Sequence, residues 1–393
     1  MDFQGKNRDT GKVRGPDKLV RVPAFIKNNG RGELGNSALD TATERCSHGR
    51  AFDASCKYCL CESITTQPQV WETIASLMHQ SKYARDTQLA PATTISGNGS
   101  ANGSARYSIV SVESGNDASI SEVQVLLRSV FKPEEVERED VMRSAIEGRS
   151  PWGTPDTTRY RMLVAKDGNG KVLSVFTYAH LELPDSQGTR TPRSFLYGGY
   201  AATQAGLRQS GLARELYISA LMQAAAEANA QGKRLLFAMG ECKRSAEKFW
   251  NGVGRKRIYV RTNDNSAPSR FFEEIPYFQP PLNFSAATGQ ITEGAGVVPE
   301  HLTIHKFSAE APTKEEVIAG VRAIYGYNNW PREAFDNDEA FQKHLELTSS
   351  LVAYLERFLM AKGNVVLLSM TERECAQAEG HTVVSHVVAD SRI

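Results

Sequence analysis

The sequence predicts a mixed α/β fold, and three observations carry that prediction. Strand-length apolar runs alternate with stretches whose apolar residues return at helical spacing. The runs RYRMLVAKD (159–167) and KVLSVFTYAHLEL (171–183) meet at Asp167-Gly168-Asn169-Gly170, a strong hairpin signal. From Gly211 to about Asn229 lies an Ala- and Leu-rich helix, apolar on most sides and therefore largely buried.

In chain order, RYSIVSV (106–112) suits a strand, and Asn116 or Asp117 caps a helix carrying Ile120, Val123, Leu126, Leu127 and Val130. A second helix, from about Pro133 to Glu147, starts acidic, as the helix dipole prefers. After the hairpin, SFLYGGYAAT (194–203) is another β-type run that feeds the buried helix, which Gly232 ends. KRLLFAMGE (233–241) reads as a buried strand, SAEKFWNGVG (245–254) as a short helix and RIYVR (257–261) as a strand. HLTIHKF (301–307) closes the series after a Pro- and Gly-rich excursion. The order is β, α, α, β, β, β, α, β, α, β, β.

A chain of 393 residues implies two or three units, and 40% hydrophobic against 23% charged residues is enough for a sizeable core. Residues 91–105, PATTISGNGSANGSA, have the composition of a flexible linker. They divide an N-terminal segment (1–90), with one helix near 69–83, from a central domain (106–307). Residues 308–393 are expected to form an accessory subdomain: helices near 313–325 and 337–361, then NVVLLSM and HTVVSHVVAD, two runs able to pair as strands.

Lys plus Arg number 46 against 45 for Asp plus Glu, which argues against a whole-chain polyanion binder. The basic start (Lys6, Arg8, Lys12, Arg14, Lys18, Arg21, Lys27, Arg31) reads as a solvated tail, with nucleic-acid contact as the alternative. Without a membrane-length apolar run or a secretory h-region, a soluble cytoplasmic protein is expected, its six cysteines reduced or metal-bound. Cys46, His48, Cys56, Cys59 and Cys61 put five soft ligands in sixteen residues. Zinc, an iron–sulfur cluster and unbound thiols all stay open. Cys242 and Cys375 are isolated and read as packing residues.

GLRQSGLARELY (206–217) is a turn that becomes a helix, and the N–H groups of a helix start attract phosphate. A Walker loop needs Lys-Ser/Thr after its last glycine, where this chain has Leu212-Ala213. A dinucleotide fingerprint needs closely spaced glycines early in the fold, which Gly206 and Gly211 are not. Arg208-Gln209-Ser210-Gly211-Leu212-Ala213 instead resembles Gln/Arg-x-x-Gly-x-Gly/Ala, the pyrophosphate-binding turn of the GNAT acyltransferase superfamily, and the element order of 106–307 is similar to that fold. Gly211 lets backbone approach a diphosphate, and successive N–H groups from Gln209 to Arg214 can face the anion.

The resemblance implies a mostly antiparallel sheet flanked by helices, acyl-CoA (acetyl-CoA or a relative) as co-substrate and an amine acceptor. It also implies a strand holding Ala201, Ala202 and Thr203 against the pantetheine arm and splaying from the strand at Leu235–Gly240. Ala246–Gly254 resembles the family's Ala-x-x-Phe-Tyr-x-x-x-Gly helix, but Trp250 replaces a tyrosine that often protonates the departing thiolate, and Arg255 stands where Phe is usual. Trp has no dissociable proton near neutral pH, so Tyr259, water or no acid remain. No carboxylate lies between Ser194 and Gln209, so Glu241, ending the next strand, is the candidate base, with a cap or surface glutamate as its alternative. His180 and Glu182 share a strand face with Tyr178 and are candidate acceptor-pocket residues, as are Tyr197 and Tyr200. The loops at 184–193 and 262–300 are the expected pocket walls. The expected function is N-acyl transfer in a ternary complex; the alternative is an inactive CoA- or partner-binding module, with nucleic-acid delivery by residues 1–90 as a third idea.

Overall fold

The computed structural model describes residues 66–80, 95–97, 107–132, 135–148, 160–185, 191–262, 271–282, 284–292 and 297–385. The basic arm and Cys46, His48, Cys56, Cys59 and Cys61 lie outside these residues. The elements are α1 (Pro68–Gln80), β1 (Ile95–Gly97), β2 (Tyr107–Ser111), α2 (Ser119–Arg128), α3 (Glu139–Ile146), β3 (Tyr160–Asp167), β4 (Val172–Glu182) and β5 (Arg193–Thr203). There follow α4 (Leu212–Ala230), β6 (Arg234–Cys242), α5 (Glu247–Gly252), β7 (Lys256–Thr262), β8 (Phe271–Glu274) and β9 (His301–Lys306). The chain then forms α6 (Lys314–Asn328), α7 (Asp338–Ala361), β10 (Val365–Leu368), α8 (Met370–Ala378) and β11 (Thr382–Val384).

The strands join in one mixed sheet, ordered β1-β2-β3-β4-β5-β6-β9-β7-β8-β11, with β10 added to β7. Pairing is antiparallel except at β5–β6 and β8–β11. The β3–β4 hairpin forms as the sequence predicts: Asp167 Oδ1 accepts the Asn169 and Lys171 N–H groups, each at 2.9 Å, and Gly170 takes a φ of 83°.

Alternation along the strands sends their apolar residues to two unlike faces. One face carries α1, α4 and α5, packed on Leu163, Tyr178, Leu196 and Ala238. The opposite face carries two separate helix pairs. The α2–α3 pair covers Met162, Val164, Val175 and Ala202. The α6–α7 pair covers Phe195, Phe237, Met239 and Ile304.

Two sequence expectations change. The helix expected from Pro133 begins only at Glu139. The stretch before it is held by side chains instead: Tyr200 Oη donates to the Glu135 carbonyl at 2.8 Å and accepts the Glu137 N–H at 3.1 Å. The two tail runs do not pair with each other; β10 joins β7 and β11 joins β8. Between them α8 starts with a capping box, Ser369 with Glu372, and both runs extend the central sheet.

A buried ion network ties these parts together. Arg257 pairs with Glu247 and, at 3.4 Å, with Glu274, whose other oxygen meets His301 Nδ1 at 2.7 Å. Arg373 of α8 also pairs with Glu247. Removing one member leaves buried charge uncompensated. We therefore expect Glu247→Ala to cost about 3–5 kcal/mol in urea unfolding, whereas Lys343→Ala, at the exposed Lys343–Glu339 pair, should cost at most about 0.5 kcal/mol.

Candidate active site

Strands β5 and β6 run in parallel register from Arg193 opposite Arg234 to Gly198 opposite Gly240, and then part. Beyond that point Ala201, Ala202 and Thr203 pair with β4, while Glu241 and Cys242 pair with β9. A bulge in β5 bends it away: Gly199 and Tyr200 together face Thr177 of β4, whose Oγ1 accepts the Tyr200 N–H at 2.8 Å. A Cβ on Gly199 would lie 2.7 Å from that hydroxyl, so only glycine fits there.

Arg255 sits at the apex of the parting. Its side chain is fully buried, with the guanidinium carbon 4.1 Å over the Trp250 ring and 5.2 Å over the Tyr217 ring. A Cβ on Gly198 would meet Nη2 at 2.5 Å and one on Gly240 would meet Nη1 at 2.7 Å, so these two glycines make the space the guanidinium fills. Arg255 thus forms a cationic wedge under the last paired residues, and Trp250 serves as its stacking platform.

Ahead of the wedge a cavity of about 210 Å³ occupies the gap. Its walls come from both sides of the sheet: Phe249 and Trp250 of α5 on one, and Glu137, Tyr160, Tyr197 and Tyr327 on the other. The sheet is open here because the α2–α3 and α6–α7 pairs leave the surface between them uncovered.

The turn before α4 has an unusual backbone. Gln209 takes a φ of 68° and Gly211 a φ of 99°. The Leu212 N–H reaches only Ser210 Oγ, at 3.5 Å, and the first intrahelical bond joins the Glu215 N–H to the Gly211 carbonyl at 3.1 Å. The intervening N–H groups are the unpaired donors of a helix start. Arg208 and Gln209 are exposed. The Arg214 guanidinium is engaged on the carbonyls of Gln80 at 3.1 Å and Gly252 at 2.9 Å, so its main chain, not its charge, is free for a ligand.

Glu241 stands where β6 leaves β5. Tyr277 Oη donates to it at 2.7 Å and Tyr197 Oη at 3.4 Å. Burial pushes its carboxyl up to about 7, against the lowering pull of those two hydroxyls. Burial, and then the Glu241 charge, raise Glu137 to about 8 and Glu300 to about 7. Glu135, also on the wall, is paired with Lys243. Cys242 lines the cavity too, with burial pushing its thiol up to about 12, so it stays protonated and is not a nucleophile.

Of the residues singled out in the sequence, Glu241, Tyr197, Tyr200 and Ala201 line this cavity. His180 and Glu182 do not. The alternation that points Tyr178 at Gln223 of α4 (2.7 Å) sends both to the same covered face. Glu182 pairs there with Lys233 at 2.5 Å, and burial drops His180 to about 4, a neutral ring. Tyr259 is also elsewhere: it is fully buried against Phe272 and Ala376, with Arg373 Nη1 3.3 Å from its hydroxyl. From 262–300 the cavity takes Gln279, Pro280, Leu282 and Glu300; no described residue of 184–193 lines it. Glu135, Glu137, Tyr160, Tyr277 and Tyr327 carried no readable site signal beyond the glutamate-rich run Glu134-Glu135-Val136-Glu137. Among the described residues no group of His, Cys, Asp or Glu is placed to hold a metal, and no helix is long and apolar enough to cross a membrane.

No protein-family model and no curated protein matches the chain. Similar solved structures include a GNAT-family acetyltransferase from Staphylococcus aureus, at 12% identity and TM-score 0.28, spanning 51% of this chain and 99% of that one. A GNAT-family N-acetyltransferase from Escherichia coli in complex with CoA is 13% identical at TM-score 0.29, over 53% and 86% of the two chains. An aminoglycoside 6'-N-acetyltransferase complexed with coenzyme A is 10% identical at TM-score 0.30, over 52% and 99%. These neighbours are GNAT acetyltransferases. At such identity and score they carry no argument about activity, which rests on the residues above.

The raised carboxyls have a thermodynamic consequence. Glu137 holds its proton to about 8 when folded, against an ordinary value of 4.5. Between those values the folded chain binds more protons than the unfolded one, so stability falls as pH rises through the window. Glu137→Gln should therefore stabilise the protein increasingly from about pH 5 to about pH 8.5, reaching roughly 1–3 kcal/mol. Parallel thermal melts of the two proteins across that range check it.

Proposed function

We propose that this chain is an N-acyltransferase that moves an acyl group from acyl-CoA to an amine in a single ternary complex. The observation that carries the reading is the parted β5–β6 pair, with a phosphate-ready turn at the start of α4 and a proton-accepting carboxyl, Glu241, at the gap.

In this reading the N–H groups of Gln209 and of Gly211 to Arg214 hold the diphosphate, the Ser210 N–H being bonded to the Leu207 carbonyl at 3.2 Å, with Gly211 giving the close approach that a Cβ would prevent. The free edge of β5 at Ala201–Thr203 pairs with the amide-bearing arm. Glu241 binds the incoming ammonium and takes its proton; near pH 7 such a carboxyl is poised for both tasks. The freed nitrogen attacks the thioester carbonyl, the C–N bond forms, the C–S bond breaks, the nitrogen gives up its second proton to water, and the thiolate takes a proton to leave as free thiol. Tyr259 has no part, since it does not line the cavity and is buried against Phe272 and Ala376. Water and the cavity hydroxyls are the remaining proton sources for the thiolate.

One observation favours the rival reading, a CoA-binding module without turnover: Trp250, stacked on Arg255, offers no acid. Thiol release from acetyl-CoA with a panel of amines separates the two. We expect release, with kcat/KM rising with pH through about 7 as Glu241 ionises and falling about 10²–10⁴-fold in Glu241→Gln. Calorimetry should show CoA binding that survives Glu241→Gln and weakens at least about tenfold in Gly211→Val, whose Cβ both strains the φ of 99° and obstructs the turn. CoA binding without thiol release from any amine supports the module; no heat with CoA removes both readings.

A further inference from the structure

The cavity holds more acid than one attacking amine accounts for. Glu241 is used by the proton transfer above, and Glu135 is neutralised by Lys243. Glu137 and Glu300 remain. Of the two, Glu137 has an oxygen, Oε2, that is withdrawn from solvent without a hydrogen-bond partner. Tyr160, 8% exposed, lines the same cavity. A carboxyl buried only to build the fold is normally hydrogen-bonded, because leaving it unpaired costs free energy. An unpaired carboxyl oxygen at a cavity wall is what a missing ligand leaves behind.

The surroundings specify that ligand's chemistry. Tyr160, Tyr200 and Tyr327 line the wall around Glu137, and the Glu137 charge is felt by all three phenols. Tyr200 is locked in place, its hydroxyl bridging the Glu135 carbonyl and the Glu137 N–H. Aromatic rings around a carboxyl suit an alkylammonium: ring faces attract the cation and the carboxylate accepts its N–H groups. The carboxylate form among these rings favours a cation over a neutral or anionic ligand.

We infer that Glu137, with Tyr160, Tyr200 and Tyr327, is a second ammonium site, and that the acceptor is a diamine or polyamine. One nitrogen is held at Glu137 while another reaches Glu241 at the strand gap. The inference rests on the acyltransferase reading for the fate of the second nitrogen, but not for the binding itself. Because Glu137 is largely protonated near pH 7, capture of an ammonium there releases a proton.

The test is calorimetric titration of the full-length, CoA-saturated chain with 1,4-diaminobutane and with 1-aminobutane, in two buffers of different ionisation enthalpy. The diamine should bind at least about tenfold more tightly, the size of one charge-assisted contact, and release a proton that the monoamine does not. Glu137→Gln should abolish both the preference and the extra proton. Equal affinities, or a preference that survives Glu137→Gln, overturn the inference. Should that variant fail to fold, wild-type protein alone decides through diamines of three to six carbons against matched monoamines: no preference at any length overturns it equally. Diamine preference without thiol release leaves the ammonium site standing and removes the transferase reading; thiol release with no diamine preference does the reverse.

Discussion

The parting of β5 from β6 after Gly198 and Gly240 is the constraint on which the site depends. A parallel ladder that stops in mid-sheet exposes main-chain donors and acceptors which an uninterrupted sheet would pair, and such an edge is stable only if something holds it open. Here the holding elements are identifiable. The β5 bulge at Gly199 and Tyr200, bonded to Thr177 of β4, sets β5 on a diverging path. Arg255 fills the apex, and its aromatic neighbours Trp250 and Tyr217 compensate in part for a guanidinium whose nitrogens find no acceptor. A hydrocarbon of that size would fill the space more cheaply; what the cation adds is a positive charge beneath the point where the strands separate.

The gap also has two distinct sides, and this follows from how helices are distributed over the sheet. On the α4 side, the helix start at Gly211 and the short helix carrying Phe249 and Trp250 flank it. On the other side, two helix pairs stop short of each other and leave acidic and phenolic groups around the opening. The two sides thus differ in preference, one offering main-chain donors and the other carboxyls. Alternation along β4 enforces the separation, with Tyr178 turned toward α4 and Ala179 into the opposite core.

What was legible in the sequence was local. The hairpin at Asp167–Gly170, the buried helix after Gly211 and the strand β6 are written in neighbouring residues, and turn chemistry and periodicity suffice to read them. The face on which a strand residue lies was not legible. His180 and Glu182 share one face by spacing, but only the packing of α4 decides that this face is covered. Tyr259 fails for the same reason: Ile258 and Val260 belong to the core beneath α6, which turns the residue between them to the other side. Glu137 was illegible for a different reason, since its neighbours Tyr160, Tyr200 and Tyr327 come from three distant segments. A run of glutamates before a helix reads equally well as a solvated cap.

The C-terminal residues show how far site and scaffold are one object. Tyr327 and Asn328, the last residues of α6, line the cavity, and Tyr325 donates to the Phe278 carbonyl at 2.8 Å, fixing the segment that brings Gln279 and Pro280 to the wall. The helix is held at its start by the Thr313–Glu316 capping box and along its length by α7, through Arg322 and Glu356. Loss of α7 would therefore release Tyr327 and open the acidic side of the gap to water. In water the carboxyls would return to their ordinary range, and Glu241 would lose the affinity for protons that burial gives it. The tail therefore acts on the site through solvent exclusion, and it is burial more than any single contact that sets the chemistry of the three glutamates.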